Sequence, residues 1–565
     1  MAAPHTEPID GATTEVIRHH FISAAEEMRM TLTRTACSPV IYEVRDFGIS
    51  IYDSRLDLVA EATGLTRFLG ANDYSVRKVI DYVGREGLGP GDVILSNYPY
   101  WNAAHTSDAT LTAPVFAQDG GQPFAFLCVR AHWADLGAKD AGYVIDSTDM
   151  HQEGLVFPGT FVFRRGEPVR EILEIIRFNS RSPDIVLGDF DAQIAAIRTG
   201  QRRLAGLLEK FGGDRIDAAI GRILAHGEAA ARRALADVPE GLWSATDFLD
   251  DDGITDEPIL MKVTVTHRDG RFGIDFAGSS PCVAGPVNLP FGSTLATCKV
   301  AFKALTTPGE PSNGGHMRPL DVHAEPGTLF HATYPAPTFT QWTGIVALEL
   351  IFKALAQAMA ERLPASSGGD VPGFMMIGVH PDTGSAYAIS NNDAVGWGAT
   401  TRHDGADTRN HPCQSIVRNT PIEVMETRTP MFFDRLEIIP DSGGAGRYRG
   451  GVGLRRDIRF LADGEFLTVM KKTKTRPWAL LGGASPDATR TILFPGTSRQ
   501  RTVGTIRVAV AAGDTVSIRT AGGGGFGLPR ERSPADSAAD IEDGYVTGSG
   551  AAPDLGGSAV KAASK

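Results

Sequence analysis

The spacing of apolar residues switches between the helical and the strand period several times along this chain, which excludes an all-α or an all-β fold. Ile17, Phe21, Ala24, Met28 and Leu32 recur at three to four residues and predict an amphipathic helix from about Thr14 to Arg34. Phe47-Gly-Ile-Ser-Ile-Tyr then alternates and predicts a strand running into a turn at Asp53-Ser54. Val93–Leu95, Leu111–Phe116 and Pro123–Arg130 read as further strands, with Asp119-Gly-Gly-Gln as a hairpin signal between the last two. From about Asp184 to Val238 the helical period returns: Ile194, Ile197, Leu204, Leu208 and Phe211 form one stripe, stopped by Gly212-Gly213. Beyond Gly241 a hairpin is predicted from Ile259–His267 and Phe272–Phe276, then a helix over Gly344–Leu363 that ends at Pro364.

The expected architecture is therefore α+β, a large mixed multi-layer fold. It has a strand-rich region over 10–183, a helical segment over 184–240, a β-rich segment over 241–345 and a glycine-rich α/β region over 346–530. Residues 531–565 lack periodicity and read as a loosely held tail. Hydrophobic residues make up 42% of the 565 positions, enough for a large core without staples. The five cysteines are scattered with no CxxC, which excludes a zinc ribbon or a disulfide framework and fits reduced thiols in a cytoplasmic protein. A net charge of −12 with no Lys/Arg run excludes generic nucleic-acid binding, and the locally basic stretch Arg447–Arg456 reads as turn-rich surface. No apolar h-region opens the chain and no apolar run approaches ~18 residues, so neither export nor a membrane span is expected.

Two copies of one small pattern stand out. His105-Thr-Ser-Asp108 and His132-Trp-Ala-Asp135 each place an imidazole three positions before a carboxylate, at strand ends where side chains can converge. His105, Asp108 and His132 make a mixed His/carboxylate set suited to Zn²⁺, Mn²⁺ or Fe²⁺, and the lack of thiolate argues against a structural zinc. Three protein ligands leave a position for water, whose pKa zinc lowers towards ~7. Asp46 is either a fourth ligand or an ion-pair partner of Arg45 or another base. Trp101, Trp133 and Trp397 read as core packing, with a pocket wall as the other reading.

The chain also resembles the hydantoinase B family, which includes the B-type portions of N-methylhydantoinase and 5-oxoprolinase and related subunits of acetone and acetophenone carboxylases. The matching stretches run from Thr14-Glu-Val-Ile-Arg through Arg45-Asp-Phe, Pro90-Gly-Asp-Val, Asn97-Tyr-Pro-Tyr, His105-Thr-Ser-Asp and Arg130-Ala-His-Trp-Ala-Asp. They continue through Glu153-Gly-Leu, Gly188-Asp-Phe-Asp-Ala-Gln, Asp275-Phe-Ala-Gly-Ser and Pro311-Ser-Asn-Gly-Gly. The last are Asp441-Ser-Gly-Gly-Ala-Gly-Arg-Tyr-Arg-Gly-Gly-Val-Gly and Gly522-Gly-Gly-Gly-Phe-Gly. Departures cluster near the histidines: Tyr98 replaces a common acid, Trp101-Asn-Ala-Ala stands where glycines are usual, and Gly137-Ala138 replaces a glycine pair.

The resemblance implies a metal site, zinc or manganese, on His105, Asp108 and His132 with Asp46 nearby. It implies the metal-binding subunit of an ATP-dependent hydrolase of cyclic amides (hydantoins, lactams or 5-oxoproline), hetero-oligomeric with a hydantoinase A-type ATPase subunit. No GxxxxGK[ST] loop occurs here, so ATP and Mg are assigned to that partner, and Gly522–Gly525 reads as a tight glycine turn. Phosphorylation of the amide oxygen would make the carbonyl carbon reactive. Asp135 or Glu153 would then be the general base and Arg130 the stabiliser of phosphate or oxyanion charge, a structural ion pair being the other reading of each. Two other functions stay open: a subunit of a ketone carboxylase, and a non-catalytic scaffold for the ATPase subunit.

Overall fold

A computed structural model describes residues 9–117, 121–384, 386–414 and 416–547. The chain is built from four sheets with helices between and upon them, as the alternating periods require. The first helix, α1 (Gly11–Thr35), is capped by Asp10, which accepts from Thr13 N–H at 2.8 Å. It buries Ile17, Phe21, Ala24, Met28 and Leu32.

The first sheet holds β1 (Phe47–Asp53), β2 (Leu58–Glu61), β3 (Val93–Ser96), β4 (Asp108–Val115), β5 (Ala125–His132), β6 (Thr160–Arg164) and β7 (Glu167–Pro168), in the order β2-β1-β5-β4-β3-β6-β7. All its pairings are antiparallel. The β4–β5 pair is the expected hairpin; Asp119 and Gly120 of its connection lie outside the described residues. Helix α2 (Thr66–Val83) covers one face of the sheet, and α1 with α3 (Pro183–Phe211) covers the other. Every residue of β1 and β4 is consequently buried, so these strands lack the half-polar alternation of a sheet with one wet face. Gly212, at φ 74°, makes the break between α3 and α4 (Gly213–Leu235) that the glycine pair predicts.

The second sheet is ordered β11-β10-β9-β8 from β8 (Gly241–Leu249), β9 (Ile259–Arg268), β10 (Arg271–Asp275) and β11 (Leu320–His323). Helices α5 (Phe291–Thr306) and α6 (Trp342–Met359) share its core. The segment Trp342–Arg362 is long and apolar enough to cross a membrane by composition, with mean hydropathy 1.5, which the search for an unbroken apolar run overlooks. Glu349 and Lys353 interrupt that run, and 67% of the segment is buried, as a core helix requires. The remaining strands are β12 (Gly373–Val379), β13 (Ala386–Asn392), β14 (Met431–Ile438), β15 (Leu454–Phe460), β16 (Gly464–Val469), β17 (Arg490–Leu493), β18 (Arg501–Val503), β19 (Ile506–Val510) and β20 (Thr515–Arg519). They form two sheets, β13-β12-β16-β19 and β14-β15-β20-β17-β18.

Three readings of the C-terminal region need correction. Gly522–Gly525 is not a tight turn: it is a straight segment threaded between other backbones. A Cβ on Gly523 would lie 1.9 Å from the Trp397 carbonyl oxygen, and one on Gly450 would lie 1.9 Å from that of Gly523. Only glycine permits this approach, which is why two glycine runs occur so far apart in sequence. Arg447–Arg456 is not simply surface, since Arg449 and Arg456 are buried and Arg456 Nε donates to Asp393 at 2.7 Å. Residues 531–547 are not loosely held either. Helix α7 (Pro534–Glu542) carries Asp540, which takes Arg449 at 3.1 Å and Arg532 at 2.5 Å. Asp540→Ala would leave the buried Arg449 short of a counter-charge, and about 3 kcal/mol of stability is expected to be lost. Limited proteolysis would register it as new cleavage around α7.

Candidate metal centre

Strand pairing builds the cluster. Asp108 opens β4 and His132 closes β5, and the register sets them directly opposite one another. Their side chains meet, His132 Nδ1 to Asp108 Oδ1 at 3.0 Å. His105 sits one turn before β4, and its Nε2 reaches Asp108 Oδ2 at 3.6 Å. One ligand atom from each of the three residues lies within 4.8 Å of the others. The turn that carries His105 is held by Asn97, whose Nδ2 donates to Thr106 O at 2.7 Å and whose Oδ1 accepts from Phe157 N at 2.6 Å. Asn102 Nδ2 adds a bond to Asp108 O at 2.7 Å.

The electrostatics are those of a cation site. Burial alone would raise the Asp108 carboxyl, yet His105, His132 and Arg130 hold it below the usual carboxylate range. Burial pushes His105 down to about 4 against the attraction of Asp108. Burial opposes His132 too, but its hydrogen bond and charge contact with Asp108 raise it. Two nearby polar atoms have no protein partner: His105 Nδ1 and Asp46 Oδ1. Burial pushes the Asp46 carboxyl up to about 7, against His132 and helped by Asp108. Asp46 is not ion-paired with Arg45, which occupies a left-handed φ of 67° just before it. A buried carboxylate between two imidazoles, with unpartnered donors beside it, fits a divalent ion.

Aromatic rings close the cluster. Phe339 stacks on His105 at 4.8 Å and 11°, and Tyr143 lies parallel to His132 at 6.3 Å and 16°. A cavity of about 40 Å³ beside Asp46 and His132 is walled by Tyr143, Trp342, Phe374 and Asn392. That is room for one or two waters, well below the ~300 Å³ of a ligand pocket.

The model of the family described as hydantoinase B/oxoprolinase matches residues 10–529. The chain belongs to that family. It is 28% identical over 570 residues to the caprolactamase subunit beta of Pseudomonas jessenii, covering 97% of this chain and 96% of the relative. The crystal structure of the ATP-dependent caprolactamase from Pseudomonas jessenii superposes with a TM-score of 0.88 at 26% identity, over 96% of this chain and 95% of that one. A nucleotide-free acetone carboxylase structure matches in fold, with a TM-score of 0.86 at 18% identity over 97% of this chain and 79% of that one.

The three residues expected as catalytic groups of this hydantoinase B chain have other employment. Asp135 is spent on Arg181, whose Nη1 donates to Oδ1 at 2.7 Å and whose backbone N–H donates to Oδ2. Asp135→Ala is expected to cost about 1 kcal/mol, discounted because Arg181 is half exposed, and to leave bound metal unchanged by elemental analysis. Arg130 is fully buried, donates to Thr110 and Asn102 and lies 5.3 Å from the Phe68 ring. Its charge helps hold the Asp108 carboxyl down. Glu153 is buried and accepts from Ser147 Oγ, Thr338 N and Phe339 N through Oε1 at 2.8, 2.8 and 3.1 Å. Its carboxyl thus holds the Thr338–Phe339 backbone.

Sequence reading missed Phe339, Tyr143 and Gln193. Gln193 lies across the sheet from the cluster, donating to Ala109 O and Val129 O at 3.1 and 2.9 Å and accepting from the buried Trp133 Nε1 at 2.8 Å. It locks the ends of β4 and β5 together. A signal for it existed: Asp189 and Gln193, four apart, interrupt the core-facing stripe of α3 at positions an apolar helix face would not spend on polar groups. Phe339 and Tyr143 give no such signal, because an aromatic residue in a loop has no period.

Proposed function

We propose that this chain is the metal-binding subunit of an ATP-dependent cyclic-amide hydrolase, working with an ATPase subunit of the hydantoinase A type. The observation that carries this is the closed His105–Asp108–His132 cluster in a hydantoinase B chain whose length is matched almost throughout by a caprolactamase subunit. The mixed nitrogen and oxygen donor set suits zinc or manganese. Such an ion, when bound, supplies Lewis acidity and a lowered water pKa. The residues around it do the positioning: Asp108 orients both imidazoles, Phe339 and Tyr143 exclude solvent, and Glu153 holds the Phe339 segment. No phosphate loop is present in the sequence, which supports assigning ATP and Mg to the partner subunit. The cavity beside the cluster is smaller than a cyclic amide, so substrate binding at the cluster needs it to widen.

The test is ATP hydrolysis and product formation by the co-purified pair against hydantoins, lactams, 5-oxoproline and ketones, with and without bicarbonate. Ring-opened product from a cyclic amide, with equivalent ATP turnover, is expected. Ketone- and bicarbonate-dependent turnover alone would replace this reading with a carboxylase. Unaltered turnover after removal of all metal would overturn the role of the cluster.

A further inference from the structure

A second cavity, of about 720 Å³, lies at the far end of the C-terminal region, between the β14-β15-β20-β17-β18 sheet and α7. Its volume is that of a small-molecule site. Backbone of Gly443, Gly444 and Gly522 contributes to its wall, together with apolar side chains of Ile439, Pro440 and Val546. None of the metal-cluster residues lines it.

Two of the arginines that line it, Arg490 and Arg519, make no ion pair among the described residues. Arg490 on β17 is directly opposite Arg519 on β20, and Arg519 is directly opposite Arg455 on β15. Like charges opposite one another across strands are destabilising unless something compensates them. Arg455 is compensated by Asp457 at 2.6 Å and Glu437 at 3.4 Å. Arg519 makes a 3.4 Å bond to Ser517 Oγ, and burial with the two neighbouring arginines keeps its guanidinium below the usual range. Among the described residues, neither Arg490 nor Arg519 has a carboxylate within ion-pair reach. The acids around the cavity are occupied elsewhere. Asp441 accepts from Thr547 N at 2.9 Å, Asp487 pairs with Arg476 at 2.8 Å, and Asp540 is held by Arg449 and Arg532. Arg490 and Arg519 therefore line a part-apolar cavity with no carboxylate in ion-pair contact, Asp457 and Glu437 acting on Arg519 only from longer range.

We propose that this cavity binds a small organic anion, its phosphate or carboxylate group forked by Arg490 and Arg519 and its apolar body resting on Ile439, Pro440 and Val546. Guanidinium pairs match the geometry of either oxyanion, and a bound anion would remove the cross-strand repulsion. This site is separate from the proposed hydrolase chemistry.

The experiment is calorimetric titration and thermal shift of the full chain with phenyl phosphate and with benzoate, which share one ring and differ in the anion, and with uncharged benzyl alcohol. At least one anion is expected to bind with Kd below ~1 mM and to raise Tm, with benzyl alcohol inert. The better of the two identifies the anion class. R490Q/R519Q is expected to weaken binding by at least ~10-fold. That variant relieves a like-charge pair, so its Tm is expected to be no lower than that of the unaltered chain. Should it fail to fold, R490Q alone, at an exposed position, carries the comparison. Absence of binding by either anion up to ~10 mM, or equal binding by the variant, overturns the proposal.

Discussion

Asp108→Ala is expected to strip the cluster of metal and to abolish turnover of the assembled complex. Asp108 is the carboxylate that meets both histidines, at 3.0 and 3.6 Å, and it supplies the negative charge among the three central ligands. Loss of a group that merely orients a ligand costs 10–100-fold in metal affinity, so loss of the charged ligand itself is expected to exceed ~100-fold. Elemental analysis of the purified variant should fall to background, and turnover with the partner should drop by at least ~10³-fold. Full metal content in Asp108→Ala would remove the cluster from consideration. Metal uptake also carries a pH signature. Asp108 raises His132 above its ordinary 6.5, so below that raised value the metal-free chain carries a proton there that a ligand must release. Metal affinity is therefore expected to rise as pH increases through the raised His132 value, accompanied by proton release measurable in buffers of differing ionisation enthalpy. Asp135→Ala is the control, since its carboxylate is committed to Arg181 and no loss of metal is expected.

How much of this was legible beforehand follows from what periodicity encodes. Helix α1 and the strands β9 and β10 announce themselves because each repeats its burial along the chain, and β1, β4 and β5 because each is a short apolar run bounded by turn signals. His105, Asp108 and His132 were found because they lie at strand ends and in a repeated spacing, and the β4–β5 register then brings them into contact. What periodicity does not encode is contact between distant irregular segments. Phe339 reaches His105 across more than two hundred residues, through a loop with no repeat of its own. The glycine runs are visible in the sequence but ambiguous, since the composition that makes a turn is the same that lets two backbones touch; only the positions of Trp397 and Gly450 decide between them. Asp135 failed as a candidate base for a related reason. It repeats the HxxD spacing of Asp108, yet it lies beyond the end of β5, where the chain turns away and Arg181 at the start of the helical segment takes it.

Glu153→Ala is expected to be the most damaging change outside the three ligands, and Glu153→Gln among the mildest. The carboxylate is the acceptor for the backbone N–H groups of Thr338 and Phe339, and the Glu153 carbonyl oxygen accepts from Thr106 Oγ1, next to His105. One residue thus ties the ring that stacks on His105 to the turn that carries His105. Alanine would leave two buried N–H groups and Ser147 Oγ without their acceptor, at about 3 kcal/mol. Glutamine keeps an oxygen where Oε1 stands and removes only the ability to titrate. The two variants therefore separate architecture from ionisation, and pH separates them further. Burial pushes the Glu153 carboxyl up to about 8 from an ordinary 4.5, so the folded chain holds this proton more tightly than the unfolded one. The resulting contribution to stability is fully present below about pH 4.5 and is lost as pH rises through about 8. Over that window the Tm of the unaltered chain is expected to fall relative to that of Glu153→Gln, which has no proton to lose. Parallel Tm curves for the two from about pH 5 to about pH 9 would show that Glu153 carries no raised proton affinity in the fold. A sloping difference, with metal content and turnover retained in the glutamine variant and turnover lost in the alanine variant, would establish Glu153 as the group that positions Phe339 over the cluster and exclude it as the general base.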